Sequence, residues 1–224
     1  FVGGYRSVIF KSTDNGLNWY DVSNSNRDFY SVYVENENNI LAVGGSSDGT
    51  RSDGAVSSDG GKTWNKLPIV IQNTVLDGYK KGNYIVISGN KSAFYYTTNS
   101  GFNWTNKSYG NGISTYQYKM YFLNKDTGYI ANSDGQIYFT TNSGNSFTTC
   151  VTAPNTKFYD IQMINKTRGF AVGTGKKIYE TFDGKTFISE GLASINTDEI
   201  RGISMLDENN GYICGKSGAV YKTN

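Results

Sequence analysis

The chain has 224 residues, and its 21 Lys and Arg residues nearly balance its 19 Asp and Glu residues. The resulting net charge of +2 is too small to indicate an electrostatic nucleic-acid binder. The chain contains no His, which excludes Ser-His-Asp and Cys-His catalysis and His-ligated metal sites. Its two Cys residues are too few for a zinc site, and no apolar run is long enough to cross a membrane. We therefore expect no metal, no cofactor and no membrane-spanning segment.

Short runs rich in Val, Ile, Tyr and Phe alternate with polar turns along the chain, which predicts β-strands. The first two runs, 1–4 and 8–11, are followed by the turn sequence STDNGLNW at 12–19. The same order then recurs: a first run, a polar turn, a second run ending in Gly, a Gly-rich turn, a third run, and a turn like that at 12–19. Examples in chain order are 29–34, 40–44, 93–96, 136–139, 158–164, 169–173, 177–180, 211–215 and 219–222.

The recurring turn has the motif Ser/Thr-x-Asp/Asn-x-Gly-x-Asn/Thr/Ser-Trp/Phe. Its copies are 12–19, 57–64, 97–104 and 140–147, with a shortened copy at 181–187 and the start of a sixth at Thr223. The copies begin 40 to 45 residues apart, a period typical of repeat architectures.

Each repeat is predicted to form four antiparallel strands, and the fourth strand begins at the aromatic residue of the motif. Such sheets, repeated radially, are the blades of an all-β β-propeller. We count three strands, then four full blades, then three strands, or about 5–6 blades in a single domain, 1–224. Because the two partial blades do not sum to one, we expect a segment of a longer protein with a ring of roughly six to eight blades. Closure by a neighbouring subunit, and hence self-assembly, is the alternative.

Structural roles are predicted for the motif residues. The Asp or Asn side chain accepts backbone N–H groups of its own turn, the Gly permits a positive φ, and the aromatic ring packs between neighbouring sheets. These residues are Asp14, Gly16, Trp19, Asp59, Gly61, Trp64, Asn99, Gly101, Trp104, Asn142, Gly144, Phe147, Asp183 and Phe187.

The motif resembles the Asp-box, or bacterial neuraminidase repeat, of sialidases, sortilin-type receptors and many secreted propellers. The segments GFAVGTGKKIYET (169–181) and GYICGKSGAVYKT (211–223) look most like the photosystem II assembly/stability factor-like propellers. This resemblance implies the β-propeller fold and a basic patch that holds a protein partner. It also implies a secreted, cell-surface or periplasmic location.

The resemblance to sialidases raises an enzymatic hypothesis that the sequence does not favour. Such enzymes are similar in using an Arg-Ile-Pro start and an arginine triad, whereas this chain lacks Arg-Ile-Pro and has only five Arg. No carboxylate pair is marked as catalytic, so we predict a non-catalytic interaction scaffold. A paired-carboxylate glycosidase remains the low-ranked alternative.

The main candidate binding surface is basic. The turns between second and third strands and the links between blades are expected to share one face of a propeller. The residues predicted there are Arg6, Arg27, Arg51, Lys176 and Lys177. Guanidinium groups suit carboxylates and phosphates, so these residues are candidates for binding a protein partner. The alternative is that they are ordinary solvated charges on turns.

The Tyr-rich link at 106–118 is the second candidate surface. Tyr109, Tyr116 and Tyr118 stand among Gly and Asn, a composition similar to antibody paratopes, and exposed tyrosines also stack on sugars. A carbohydrate-binding or adhesin function is therefore the alternative to protein binding. Tyr116 and Tyr118 are equally explained as the start of a strand, facing the core.

The two cysteines are predicted to be far apart. Cys150 is expected in an outer fourth strand and Cys214 in a second strand, so a disulfide between them is not expected. Cys214 is expected to be a small buried apolar residue.

Overall fold

The computed structural model describes residues 1–3, 8–23, 28–46, 48, 50–69, 71–107, 115–192 and 195–223. The chain divides into two compact units, Phe1–Ser114 and Thr115–Asn224. In the described ranges there are 22 strands and one short 3-10 turn, Lys216–Gly218. No helix in this part of the chain has the length and apolar character needed to span a bilayer.

The first unit contains three antiparallel sheets. Its first sheet has three strands and the next two have four. The strands are β1 (Val2–Gly3), β2 (Ile9–Lys11), β3 (Tyr20–Asp21); β4 (Asp28–Val34), β5 (Ile40–Gly45), β6 (Ser52–Ser57), β7 (Asn65–Lys66); β8 (Val75–Lys81), β9 (Tyr84–Gly89), β10 (Phe94–Thr97) and β11 (Thr105–Asn106).

The second unit also contains three antiparallel sheets, two of four strands and a last one of three. The strands are β12 (Gln117–Phe122), β13 (Gly128–Asn132), β14 (Gln136–Thr140), β15 (Thr148–Thr152); β16 (Phe158–Met163), β17 (Gly169–Gly173), β18 (Lys177–Thr181), β19 (Phe187–Gly191); β20 (Ile200–Met205), β21 (Gly211–Gly215) and β22 (Val220–Lys222).

The predicted blade composition is confirmed: three strands, four sheets of four, then three strands. Each four-stranded blade follows chain order, so sequential strands pair as antiparallel neighbours. In the complete blades every residue of the second strand is buried, as in β5, β9, β13 and β17. Strands covered on both faces are apolar throughout, which explains runs such as ILAVGG and GFAVG.

The core of each unit lies between successive blades. In the second unit, Tyr129 and Ile137 of one blade pack with Phe158, Ile161 and Tyr179 of the next. Phe158 and Tyr179 meet edge to face with their ring centroids 4.7 Å apart. The first unit packs in the same way, with Leu41 and Val43 of one blade contacting Ile85 and Ile87 of the next.

Side-chain hydrogen bonds also tie successive blades together. The Gln162 amide of β16 accepts the N–H of Met205 in β20 at 2.7 Å and donates to its carbonyl at 2.9 Å. Asp160 Oδ2 accepts the N–H of Ile203 at 3.0 Å. In the first unit, Glu35, the residue directly after β4, pairs with Lys80 of β8 at 2.9 Å.

The cysteine predictions have different outcomes. Cys150 lies in the fourth strand β15, as expected, and both cysteines are free thiols. The prediction that Cys214 is buried is wrong, because its side chain is exposed. Cys214 lies in β21 of the last sheet of its unit, where Tyr212 and Val220 are also exposed. No further sheet of that unit covers this face, so its residues keep contact with solvent.

Candidate interaction site

The recurring turns share one hydrogen-bond pattern. In the second copy, Ser57 Oγ accepts the N–H of Gly61 at 2.8 Å and donates to Asp59 Oδ1 at 2.8 Å. Asp59 Oδ1 also accepts the N–H of Thr63 at 2.9 Å. The third and fourth copies repeat these bonds with Thr hydroxyls and with the amide oxygens of Asn99 and Asn142. The motif therefore satisfies its own backbone locally.

The motif carboxylates are committed to their turns. Hydrogen bonds from the Thr63 side chain and backbone lower the pKa of Asp59 to about 2, and backbone N–H groups of Thr186 and Lys185 do the same for Asp183. The Asn18 backbone likewise lowers the pKa of Asp14. A carboxylate held ionised by its own turn is not a general acid near neutral pH.

The motif aromatic rings pack according to the position of the blade in its unit. Trp64 is 8% exposed and belongs to a cluster with Ile9 of the preceding blade. Phe187 contacts Tyr129 of the preceding blade with ring centroids 6.2 Å apart. The predicted packing between sheets does not hold for Trp19, which is 46% exposed. Its blade is the first of the unit, so no preceding blade of that unit covers the ring.

The predicted basic surface is described only in part. Arg6, Arg27 and Tyr109 lie outside the described residues. Arg51 is exposed in the first unit, where its N–H donates to Ser46 Oγ at 3.0 Å. Lys176 and Lys177 are exposed neighbours in the second unit. The single basic patch containing all five cations stays a prediction.

The blades have two distinct ends. We call the end where the first strand begins and the turn to the third strand lies the connection end, and the end with the motif turns the motif end. At the connection end of the second unit, Gly175 N–H donates to the Asp198 carbonyl at 2.8 Å. This bond places the turn that holds Lys176 and Lys177 beside the link to β20. The predicted second-to-third turns and blade links thus adjoin within this unit.

A β-bulge occurs near the start of every first strand. The register shifts by one residue in β4, β8, β12, β16 and β20, and the residues skipped are Tyr30, Leu76, Tyr118, Tyr159 and Arg201. A bulge leaves one residue out of the ladder and re-aims its side chain. The fold therefore repeats one specialised position at the connection end of each of these blades.

In the second unit these bulge residues form a continuous row. Tyr116 and Tyr118 stack with centroids 5.8 Å apart and an interplanar angle of 8°. The ring centroids of Tyr118 and Tyr159 lie 5.1 Å apart, and the Arg201 guanidinium carbon lies 5.6 Å from the Tyr159 ring centroid. We call Tyr116, Tyr118, Tyr159 and Arg201 the tyrosine row. Tyr116 is 49% exposed and Tyr118 half-buried, so neither is a core residue.

Charged groups adjoin the Arg201 end of the row. Glu199 Oε2 accepts a hydrogen bond from Arg201 Nη2 at 2.8 Å, and Lys216 Nζ lies 3.8 Å from Glu199 Oε1. The Arg201 bond lowers the pKa of Glu199, whereas burial raises the pKa of Tyr118 and of Tyr159. At neutral pH the row therefore presents neutral tyrosine hydroxyls beside the cations Arg201 and Lys216 and the carboxylates of Glu199 and Asp198.

Tyr159 and Arg201 are not among the site residues that the sequence predicts. When the repeats are aligned, both residues share one position with Tyr118, the second residue of the first strand. The alignment does not reveal the bulge, and side chains that alternate as in a regular strand would place these residues on the wrong face of the sheet.

Two clefts near the motif turns are small. One of about 290 Å³ in the first unit is lined by Glu35, Asn39 and Lys80, and one of about 230 Å³ in the second by Tyr129, Lys166 and Lys185. In the described ranges, no group of three or more Cys, Asp or Glu residues is placed to hold a metal ion. We take the tyrosine row as the candidate site because it joins aromatic and charged side chains of successive blades.

Solved structures share the architecture of this chain. A structure of "YCF48 bound to D1 peptide" has a TM-score of 0.53 and 16% identity, covering 99% of this chain and 86% of that chain. The WD40 β-propeller domain of Doa1 has a TM-score of 0.67 and 13% identity, covering 89% and 66%. The fold is that of a β-propeller. Its six blades are distributed three to each unit.

The remaining comparisons limit what the likeness shows. An ancestral GH74 enzyme matches this propeller with a TM-score of 0.64 and 15% identity, but the match covers 87% of this chain and only 31% of the enzyme. No protein-family model and no curated protein sequence matches the chain. At these identities the structures establish the fold. The resemblance to photosystem II assembly/stability factor-like propellers is supported at that level.

Proposed function

We propose that this propeller is a non-catalytic interaction scaffold that binds a protein partner at the connection end of its second unit. The observation that carries the proposal is the tyrosine row. Tyr118, Tyr159 and Arg201 occupy the bulge position of three successive blades and contact one another in that order, and Tyr116 stacks on Tyr118. Tyr and Arg are the residue types enriched among binding hot spots, because they supply large contact area with polar groups.

Several observations support binding over catalysis. The motif carboxylates are engaged in their turns, and the nearby clefts are small. Both the peptide-bound YCF48 structure and the WD40 domain are propellers, a fold that presents connecting loops to partners. We further propose a secreted, cell-surface or periplasmic location, in line with the resemblance to Asp-box propellers.

The first prediction is that peptide ligands depend on the tyrosine row. Peptides selected from a displayed random library on the wild-type chain should lose about tenfold in affinity with Tyr118→Ala. Tyr212→Ala is the matched control, since Tyr212 is exposed in the same unit but lies outside the row. Peptide binding by Arg51→Glu tests the basic surface of the first unit. Lys62→Glu is its control, since Lys62 is exposed at the motif end of the same blade. Peptides that bind Tyr118→Ala as tightly as wild type would contradict the proposed site.

Glycan binding and hydrolysis are the second candidate, because tyrosines are exposed and a GH74 enzyme shares the fold. A glycan array and aryl glycoside substrates test this candidate on the same preparations. Binding or turnover of a saccharide that is lost with Tyr118→Ala would replace the protein-binding proposal.

A further inference from the structure

The rings of the tyrosine row are held in place by one another. Tyr116 and Tyr118 form a nearly parallel stack, and the Arg201 guanidinium lies over Tyr159. Tyr and Arg side chains together are typical of protein-binding hot spots, so this arrangement suits a peptide. The rings are also pre-ordered by mutual contact, which lowers the entropy lost on binding.

The partner segment is not expected to add as a β-strand at β20. That edge is already bonded, because Asp160 accepts the Ile203 N–H and Gln162 binds both the N–H and the carbonyl of Met205. Native sheets block edge pairing by such coverage. At this edge, recognition is therefore expected to come from side chains that contact an extended chain whose own backbone groups are free.

A polyproline II segment has the required properties. It has three residues per turn and no internal hydrogen bonds, so its carbonyls remain available to donors, and it docks on aromatic surfaces. The Tyr118 and Tyr159 hydroxyls are protonated at neutral pH, since a tyrosine ordinarily has a pKa of 10.0 and burial raises it further. They are therefore suited to donate to such carbonyls.

The charged groups beside the row indicate which charged residue the bound segment carries. Arg201 and Lys216 share the carboxylate of Glu199, and the Asp198 carboxylate interacts with the same cluster. Lys176 and Lys177 add two more cations at the same end of the unit. An acidic residue at one end of the segment complements this surface.

We propose that the tyrosine row binds a proline-rich segment in the polyproline II conformation, with an acidic residue placed at Arg201 and Lys216. This inference rests on the proposed function and specifies its ligand. It assigns Tyr118 and Tyr159 as hydroxyl donors and Arg201 as the residue that orients the segment.

The second prediction concerns binding of three fluorescein-labelled peptides of about twelve residues to the full chain, measured by fluorescence anisotropy. They are a polyproline ending in two glutamates, the same peptide ending in two glutamines, and a Gly/Ser peptide ending in two glutamates. The acidic polyproline should bind most tightly and lose about tenfold with Tyr118→Ala. Tyr118→Phe, which keeps the ring stack, should weaken it several-fold. Arg201→Gln should weaken the acidic polyproline more than the glutamine peptide and reduce its salt dependence.

Two controls accompany these measurements. Tyr212→Ala should leave binding unchanged, and melting temperatures identify any variant that fails to fold. If Tyr118→Ala does not fold, Tyr116→Ala replaces it, because Tyr116 is more exposed. Equal binding of the Gly/Ser and polyproline peptides, or binding of neither, overturns the polyproline inference. Library peptides without proline that still require Tyr118 would leave the proposed function standing. Tyr118-dependent binding of cellohexaose instead would overturn both.

Discussion

Single residues decide whether the recurring turns hold their shape. Asn15, Ser100 and Ser143 adopt positive φ angles of 58°, 58° and 61°, each directly before the motif Gly. Position 61 requires glycine, because the φ of Gly61 is 84° and an added Cβ would lie 2.8 Å from the Phe1 ring. The hydroxyl and carboxylate bonds of the turn offset this local cost, so the motif is a complete local unit.

The third prediction concerns the pH dependence of Asp59. Its folded pKa of about 2 lies below the ordinary 3.8, so its contribution to stability is present above the unfolded pKa and is lost as pH falls toward 2. We expect the free energy of unfolding of the wild type to fall between about pH 4 and about pH 2. Asp59→Asn should fall less over that interval, because an amide does not titrate and Asn99 accepts the same backbone bond in its turn.

Urea unfolding at both ends of that interval measures the difference. Hydrogen bonds also lower the pKa of Asp14 and of Asp183, so the variant removes only part of the slope. Equal slopes for wild type and Asp59→Asn would contradict the assignment.

Elements are held together by contacts between first strands of successive blades. The strand pattern alone predicts each blade, because strand runs and turn residues are local signals. It does not predict Gln162 as the tie between β16 and β20, because that partner is 43 residues away. The same limitation hid Tyr159 and Arg201, whose contacts also cross between blades.

The fourth prediction tests this tie. Gln162→Ala should lower the free energy of unfolding by about 1–3 kcal/mol, because the Met205 N–H and carbonyl lose their partners. Thr149→Ala on the exposed outer strand β15 is the control and should change stability by less than about 0.5 kcal/mol. Equal effects of the two substitutions, measured by urea denaturation, would show that the tie adds nothing.

At the scale of the whole molecule, the sequence predicts a single domain, which stays a prediction, and the chain divides into two compact units. Nearest-neighbour contacts between repeats make cooperative unfolding the expectation for one domain. The fifth prediction is that Gly61→Ala in the first unit and Gln162→Ala in the second lower the midpoint of one shared transition. Circular dichroism and tryptophan fluorescence should coincide. Two transitions, each moved by only one variant, would mean that the units unfold separately.

The amino-acid sequence by itself determined the repeat, the order of the strands and the sites of the turns. These features depend on residues close together in the chain, such as the hydroxyl, acidic and glycine positions of one motif. The tertiary structure decided which surfaces are covered and which side chains meet. Trp19 and Cys214 are exposed, although the equivalent Trp64 and Val172 are buried, because burial depends on a neighbouring blade. The tyrosine row likewise exists because bulges on successive blades bring together Tyr118, Tyr159 and Arg201, each about 40 residues from the next in sequence.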